Sequence, residues 1–486
     1  MLTKMTLSTR GLLAAATCLT AAAATAAPID QILDPVFSDG FNAWFNAAQT
    51  SQADIFLMGD STVLRNGGWA HALNSGFANS SIGLAGSGLL SGFNQFEGEG
   101  GGYFQIARNN DFGAEPPVNG IREDTNNRRD PNDNPQFGLF DYRLPPVRAN
   151  MMLGDALAGE VSPFGIATVN ENNIFGPANR GVEIDGQGIA SSGPLAFSVD
   201  LANPTATTAT YRIARRNFES SGAVAPPVYV ADAAGNTTFM LAAGEAFSFQ
   251  TFVSDPLTGY NDSLSLSVES QHVGLDIGSF RVRNTDATGV TVTSWGYGGQ
   301  TTEDFLSEQY LPLTKGFRQS TLNQIVAGGS GELLVVISQG FNDRSADDTP
   351  AEFVADIQAL QAAIAADFVA AGNHADQLSF LAFGQYLTGN ADPFDDTMAG
   401  YSLALRDAAL VDDSLSFIDL RSLTADEDIQ TIGNRLDFVE GMRLHFGNQT
   451  TAEFYGNALV TAIPEPTSAA LLLGAGGLML TRRRRA

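Results

Sequence analysis

From about residue 290 to residue 460 the chain alternates between strand-length apolar or β-branched runs and segments with a helical period. Val290 to Ser294, Leu333 to Ile337, Leu378 to Phe383 and Leu415 to Leu420 suit strands buried on both faces, and Ile55 to Met58 is an earlier run of the same type. Among the later runs, Phe353, Ile357, Leu360, Ile364 and Phe368 recur at helical spacing. Thr349, Pro350 and Glu352 supply the cap, a first-turn proline and the capping-box partner, so a helix is predicted over 350–371. A last helix is predicted from near Thr450, with Glu453 three residues on. This alternation predicts a parallel sheet with helices on both faces, an α/β architecture.

Residues 95–288 break the rhythm. A Gly-rich stretch, 98–102, and an Asn/Asp/Pro-rich passage, 109–137, come first. Short alternating runs follow: Leu195 to Leu201, Thr208 to Ile213, Val228 to Ala231, Phe247 to Val253, Leu264 to Val268 and Phe280 to Val282. Gly, Asn, Asp and Pro punctuate them, as in an antiparallel β-sandwich. The expected organisation is an α/β domain over 28–94 and 289–462, with a β-sandwich module inserted at 95–288. The Asn/Asp-rich passage lacks the spacing of a calcium loop and reads as a solvated loop.

The net charge of −27 repels nucleic acid and anionic lipid, so neither is expected as a partner. The one cysteine, Cys18, lies near the N-terminus, which leaves the rest of the chain without disulfide or thiolate chemistry. Four scattered histidines form no ligand cluster, so no metal site is expected, and the serine chemistry read below requires no organic cofactor.

Both ends read as addresses. Lys4 and Arg10, the apolar stretch from Gly11 to Ala24 and the small residues Ala24-Thr25-Ala26 make residues 1–27 a secretory signal peptide. At 463–486, Ile463-Pro464-Glu465-Pro466 precedes an apolar stretch from Ala469 to Leu480 and the basic run Arg482 to Arg485. This end resembles a PEP-CTERM sorting signal. The resemblance implies transient membrane anchoring, processing by an exosortase, and export to the periplasm, outer surface or extracellular matrix of a Gram-negative bacterium.

Four segments carry the residue types of acyl transfer. Met58-Gly59-Asp60-Ser61-Thr62 closes the first strand with a serine, the glycine permitting a tight turn and Asp60 or Ser61 fitting a helix N-cap. Ser294-Trp295-Gly296-Tyr297-Gly298-Gly299 offers backbone N–H groups at a strand end, and Gln339-Gly340-Phe341-Asn342-Asp343 offers an amide at another. His445, expected on the loop before the last helix, is a base for a serine.

Together these segments resemble the SGNH (GDSL-type) hydrolases. That family implies a flavodoxin-like three-layer αβα domain, with Ser61 as nucleophile, Gly299 and Asn342 as oxyanion donors and His445 as base. The inserted module separates Ser61 from Gly299, as in O-acetylesterases acting on peptidoglycan and polysaccharide. Gly86, in Gly83-Leu84-Ala85-Gly86, is a rival to Gly299. Where the family has an Asp three residues before the His, this chain has Met442; the nearby carboxylates are Glu440 and Asp437. The implied activity is hydrolysis of acyl esters, acetyl foremost, on a polysaccharide, which the acidic surface suggests is a neutral glycan. The alternatives are a non-catalytic carbohydrate-binding matrix protein and a polysaccharide O-acetyltransferase.

Overall fold

The structure is a computed structural model that describes residues 33–64, 68–86, 90–91, 104–106, 167–168, 181–185, 194–203, 206–218, 228–232, 234–254, 263–270, 276–296, 301–306, 322, 325–326, 329–386, 394–424, 436–439, 442–446 and 449–463. The expected signal peptide at 1–27 and nearly all of the expected sorting signal at 463–486 lie outside these residues.

The chain enters with helix α1 (Asp39–Thr50), strand β1 (Gln52–Gly59), a single turn α2 (Ser61–Leu64) and helix α3 (Gly68–Ala78). Eleven strands follow: β2 (Leu90–Ser91), β3 (Phe104–Ile106), β4 (Ala167–Thr168), β5 (Gly181–Asp185), β6 (Leu195–Asn203), β7 (Ala209–Phe218), β8 (Val228–Tyr229), β9 (Phe239–Leu241), β10 (Glu245–Ser254), β11 (Ser263–Ser270) and β12 (Asp276–Asn284). Next come β13 (Gly289–Gly296), α4 (Thr302–Leu306), β14 (Leu333–Ser338), α5 (Phe341–Ser345), α6 (Pro350–Ala370), β15 (Leu378–Gly384), α7 (Phe394–Ala409) and β16 (Leu415–Asp419). A hairpin, β17 (Leu436–Val439) and β18 (Met442–Phe446), leads into the last helix, α8 (Gln449–Ala462).

The five predicted apolar runs form one parallel sheet in the order β13-β1-β14-β15-β16. Counted along the chain, that is the 2-1-3-4-5 order of a flavodoxin-like sheet. The direction of winding reverses at β1, so right-handed crossovers put helices on opposite faces. One helical layer pairs α3 with α8 and another pairs α6 with α7. Every residue of β14, β15 and β16 is buried, which explains continuous apolar runs rather than alternating ones. Helix α6 begins at the predicted capping box, with Thr349 and Glu352 bonded reciprocally, and its predicted apolar stripe is buried.

Between α3 and β13 the chain forms two antiparallel sheets, as the alternating runs suggested. One has the order β10-β6-β12-β2, with β4 also on β12; the other is β3-β5-β11-β7-β8, with β9 also on β7. They meet through aromatic side chains: the Phe239 ring lies 4.3 Å from Phe252 and 5.6 Å from Tyr211. The first of these sheets is tied to the parallel sheet by a buried ion pair, Arg283 Nη2 to Asp54 Oδ1 at 2.5 Å. Thr291 donates to the same Asp54 oxygen, and Arg283 also donates to the Ile325 carbonyl at 2.7 Å.

Candidate active site

A parallel sheet collects its functional side chains at the carboxyl ends of its strands, and Ser61 and Asn342 follow two of those ends. The register pairs Gly59 at the end of β1 with Ser338 at the end of β14 and with Gly296 at the end of β13. Ser61 and Asn342 therefore follow strands that end side by side, where β13 also ends. Ser61 opens α2, and Asn342 lies half-buried in α5, the turn that follows β14.

Gly59 does not serve a tight turn, as the sequence suggested; it permits a close approach. A β-carbon there would collide with the Ser338 carbonyl and Val63 Cγ2. Gly340, at φ 133°, makes the turn that starts α5 in a conformation few other residues adopt.

Asp60 caps α2, as its sequence position suggested. Its Oδ1 accepts from the Thr62 N–H at 2.8 Å and the Thr62 hydroxyl at 2.7 Å, and its carbonyl accepts from Val63 N–H at 3.2 Å. The side chain is fully buried, and burial, with a smaller push from Asp343, moves its carboxyl up to about 7. Asp343, next to Asn342, is also inaccessible, and burial raises its carboxyl to about 6. It accepts from the Thr302 N–H at 2.6 Å, which fastens the turn after β14 to α4, the helix following the Gly299 segment.

His445 lies on strand β18 rather than on a loop. The α-carbons of α2 and β18 come within 8 Å, so the folded chain brings the turn bearing Ser61 against the strand bearing His445. Phe446 anchors that strand: its ring lies 5.0 Å from Trp69, 4.9 Å from Tyr455 and 5.6 Å from Tyr386. Sequence reasoning missed this aromatic cluster, although Phe446 adjoins His445 and Tyr386 follows the end of β15. Tyr386 is held well above its usual pKa by burial and by Asp60, and so stays a neutral phenol.

In the hairpin, Asp437 is the register partner of His445, beside an irregularity in the pairing. Glu440 lies in the connection outside the described residues, as does Gly299. The rival Gly86 lies at the wrong end of the sheet. It bridges to Arg283, and its neighbours Leu84 and Ala85 pair with Val290, near the start of β13. The length of β1, roughly 23 Å, separates that end from Ser61.

No family model matches the sequence, and no curated protein matches it. Among solved structures, the chain is similar to a peptidoglycan O-acetylesterase at 12% identity and TM-score 0.49, over 88% of this chain and 95% of the other. A family two carbohydrate esterase from Cellvibrio japonicus is similar at 8% identity and TM-score 0.21, over 52% and 85% of the two chains. The native aryl esterase of M. smegmatis is similar at 15% identity and TM-score 0.26, over 36% and 78%.

Proposed function

We propose that this protein is an exported serine esterase of the SGNH type that removes acyl groups, acetyl foremost, from a glycan. The observation that carries the reading is the convergence at one end of the parallel sheet: α2 bears Ser61 and abuts β18, which bears His445, while Asn342 follows the adjacent strand. In this reading Ser61 Oγ attacks the ester carbonyl and His445 takes its proton. The SGNH resemblance assigns the oxyanion to the N–H of Ser61, the N–H of Gly299 and the Asn342 amide, while the Thr62 and Val63 N–H groups are engaged by Asp60. His445 then protonates the leaving sugar oxygen, and water attacks the acyl-enzyme with His445 as base. Asp437 is the carboxylate assigned to orient the imidazole, because the hairpin register pairs it directly with His445.

Hydrolysis of p-nitrophenyl acetate and of an O-acetylated polysaccharide by purified wild type and Ser61→Ala tests the proposal. The variant is expected to lose at least about a hundredfold in kcat with an unchanged melting temperature. Equal slow release from both proteins would falsify the mechanism. Mass spectrometry of the termini of the secreted protein tests export and exosortase processing: removal of residues 1–27 and of the tail is expected.

A further inference from the structure

A second cleft lies at the opposite end of the parallel sheet, where the first antiparallel sheet meets it. It encloses about 660 Å³, within the range of small-molecule sites. Its floor belongs to β12 and β6. Arg281 and Arg283, two residues apart, share one face of β12. In the register Arg281 stands opposite Ser198, and Ser198 opposite Thr251, with the two hydroxyls 2.8 Å apart. Arg283 stands opposite Ala196, whose small side chain leaves room. The opposite face of the same sheet carries Phe197, Val199 and Phe252 and is apolar and buried. A face meant only for packing would be built likewise; this one presents guanidinium groups and hydroxyls.

Locally the two guanidinium groups offset the two nearby carboxylates, Asp54 and Asp286, so the cleft does not share the strongly negative balance of the whole molecule. Two buried guanidinium groups face Asp54, whose Oδ1 accepts from Arg283 and Thr291; Arg281 also donates one N–H, from Nη1, to the Ile325 carbonyl at 3.3 Å, and its planar fork carries further N–H groups. Asp286, the one carboxylate lining the cleft among the described residues, stands exposed at its rim, where water screens it. Burial and the charge of Arg283 pull the Arg281 pKa down to about 10, despite Asp54, so an anion in the cleft would relieve this pair. The rim adds Thr285, Thr288 and Ser330, all exposed, as further hydrogen-bonding groups.

We propose that this cleft binds a uronate unit of a glycan, with the sugar carboxylate on Arg281 and the ring hydroxyls on Ser198, Thr251 and the threonines of the rim. Guanidinium groups match a carboxylate, and a cleft of this size with hydroxyls on several elements suits a polyhydroxylated ligand rather than a bare ion. The inference rests on the glycan reading for its ligand class but not on the catalytic one. It reverses, for this cleft, the expectation of a neutral glycan, because net charge averages over a surface while recognition is local.

Calorimetric titration with a defined oligogalacturonate, its methyl ester, and acetate and sulfate alone tests it. Wild type is expected to bind the acid about tenfold or more tightly than the ester, and more tightly than either small anion. Arg281→Gln is expected to lose that preference, and Arg281→Lys to keep part of it. Ser330→Trp, a change at the exposed rim that gives up the bond from Glu332 N–H to the Ser330 hydroxyl, is expected to fold and to block binding even where Arg281→Gln folds poorly. Ser61→Ala is expected to bind like wild type, so loss of ester hydrolysis and loss of uronate binding report separately. Equal affinity for acid and ester, equal affinity for oligosaccharide and sulfate, or wild-type affinity in Ser330→Trp overturns the proposal.

Discussion

Asp60 is wholly buried beside the proposed nucleophile, and its carboxyl is pushed from an ordinary 3.8 to about 7. An acid whose folded pKa is raised holds its proton longer in the native state than in the unfolded chain. Stability is therefore lost as pH rises from the unfolded value through the folded one, by an amount on the order of a few kcal/mol. Asp343, raised to about 6, acts in the same direction. Asp60→Asn keeps the oxygen that accepts from Thr62 and removes the ionisation. The variant's melting temperature is expected to gain on wild type between about pH 4 and pH 7 and to level off above that. A difference that stays constant across that range contradicts the assignment. The second prediction at this scale separates the two carboxylates near His445. Asp437→Asn is expected to lower kcat by at least about tenfold, while Glu440→Gln leaves it nearly unchanged. The reverse ranking would move the orienting role to the hairpin connection.

Elements place the candidate site through close approaches rather than through local turn preference. Strands β1 and β14 come together at Gly59, and α2 follows at once, so the position of the first helical turn depends on the lack of a side chain there. Gly59→Ala is expected to destabilise by about 1–3 kcal/mol and to lower kcat more than it changes KM, since the displaced α2 carries Ser61. Chemical denaturation and steady-state kinetics on one variant check both parts. Helices α3 and α8 show the same device: a side chain at Gly456 would overlap the backbone of Ala72, and one at Gly76 the backbone of Gly456. That crossing holds Trp69 of α3 and Tyr455 of α8 against Phe446, and with it the strand of His445.

For the molecule as a whole, the principal joint is the Asp54–Arg283 pair, which links the parallel sheet to the antiparallel one. Both side chains are buried, so the effect of the pair on stability shows mainly when one partner is lost and the other stays behind as an uncompensated charge. Asp54→Ala leaves the Arg283 charge with one fewer acceptor and is expected to cost about 3–5 kcal/mol. Replacing both, as Asp54→Leu with Arg283→Met, is expected to recover most of that loss. Urea unfolding of the three proteins decides it: a double variant as unstable as the single one removes the pair from this role. The same joint floors the second cleft, so the two sheet ends hold distinct polar environments, one around Ser61 and one around Arg281.

The sequence by itself determined whatever depends on near neighbours in the chain. Thr349, Pro350 and Glu352 start α6 because a capping box is a bond between residues three apart, and five buried strands were legible because burial on both faces writes a continuous apolar run. The positions of Ser61 and Asn342 just after β1 and β14 were readable for the same reason, whereas the strand β18 that carries His445 was not. Only the tertiary structure could set the strand order, oppose Asp437 to His445, send Gly86 to the far end of the sheet and join Asp54 to Arg283. Each of these is a contact between segments whose local preferences would be satisfied equally well apart. Long-range register and the packing of buried side chains decide them, and neither leaves a periodic trace in the chain.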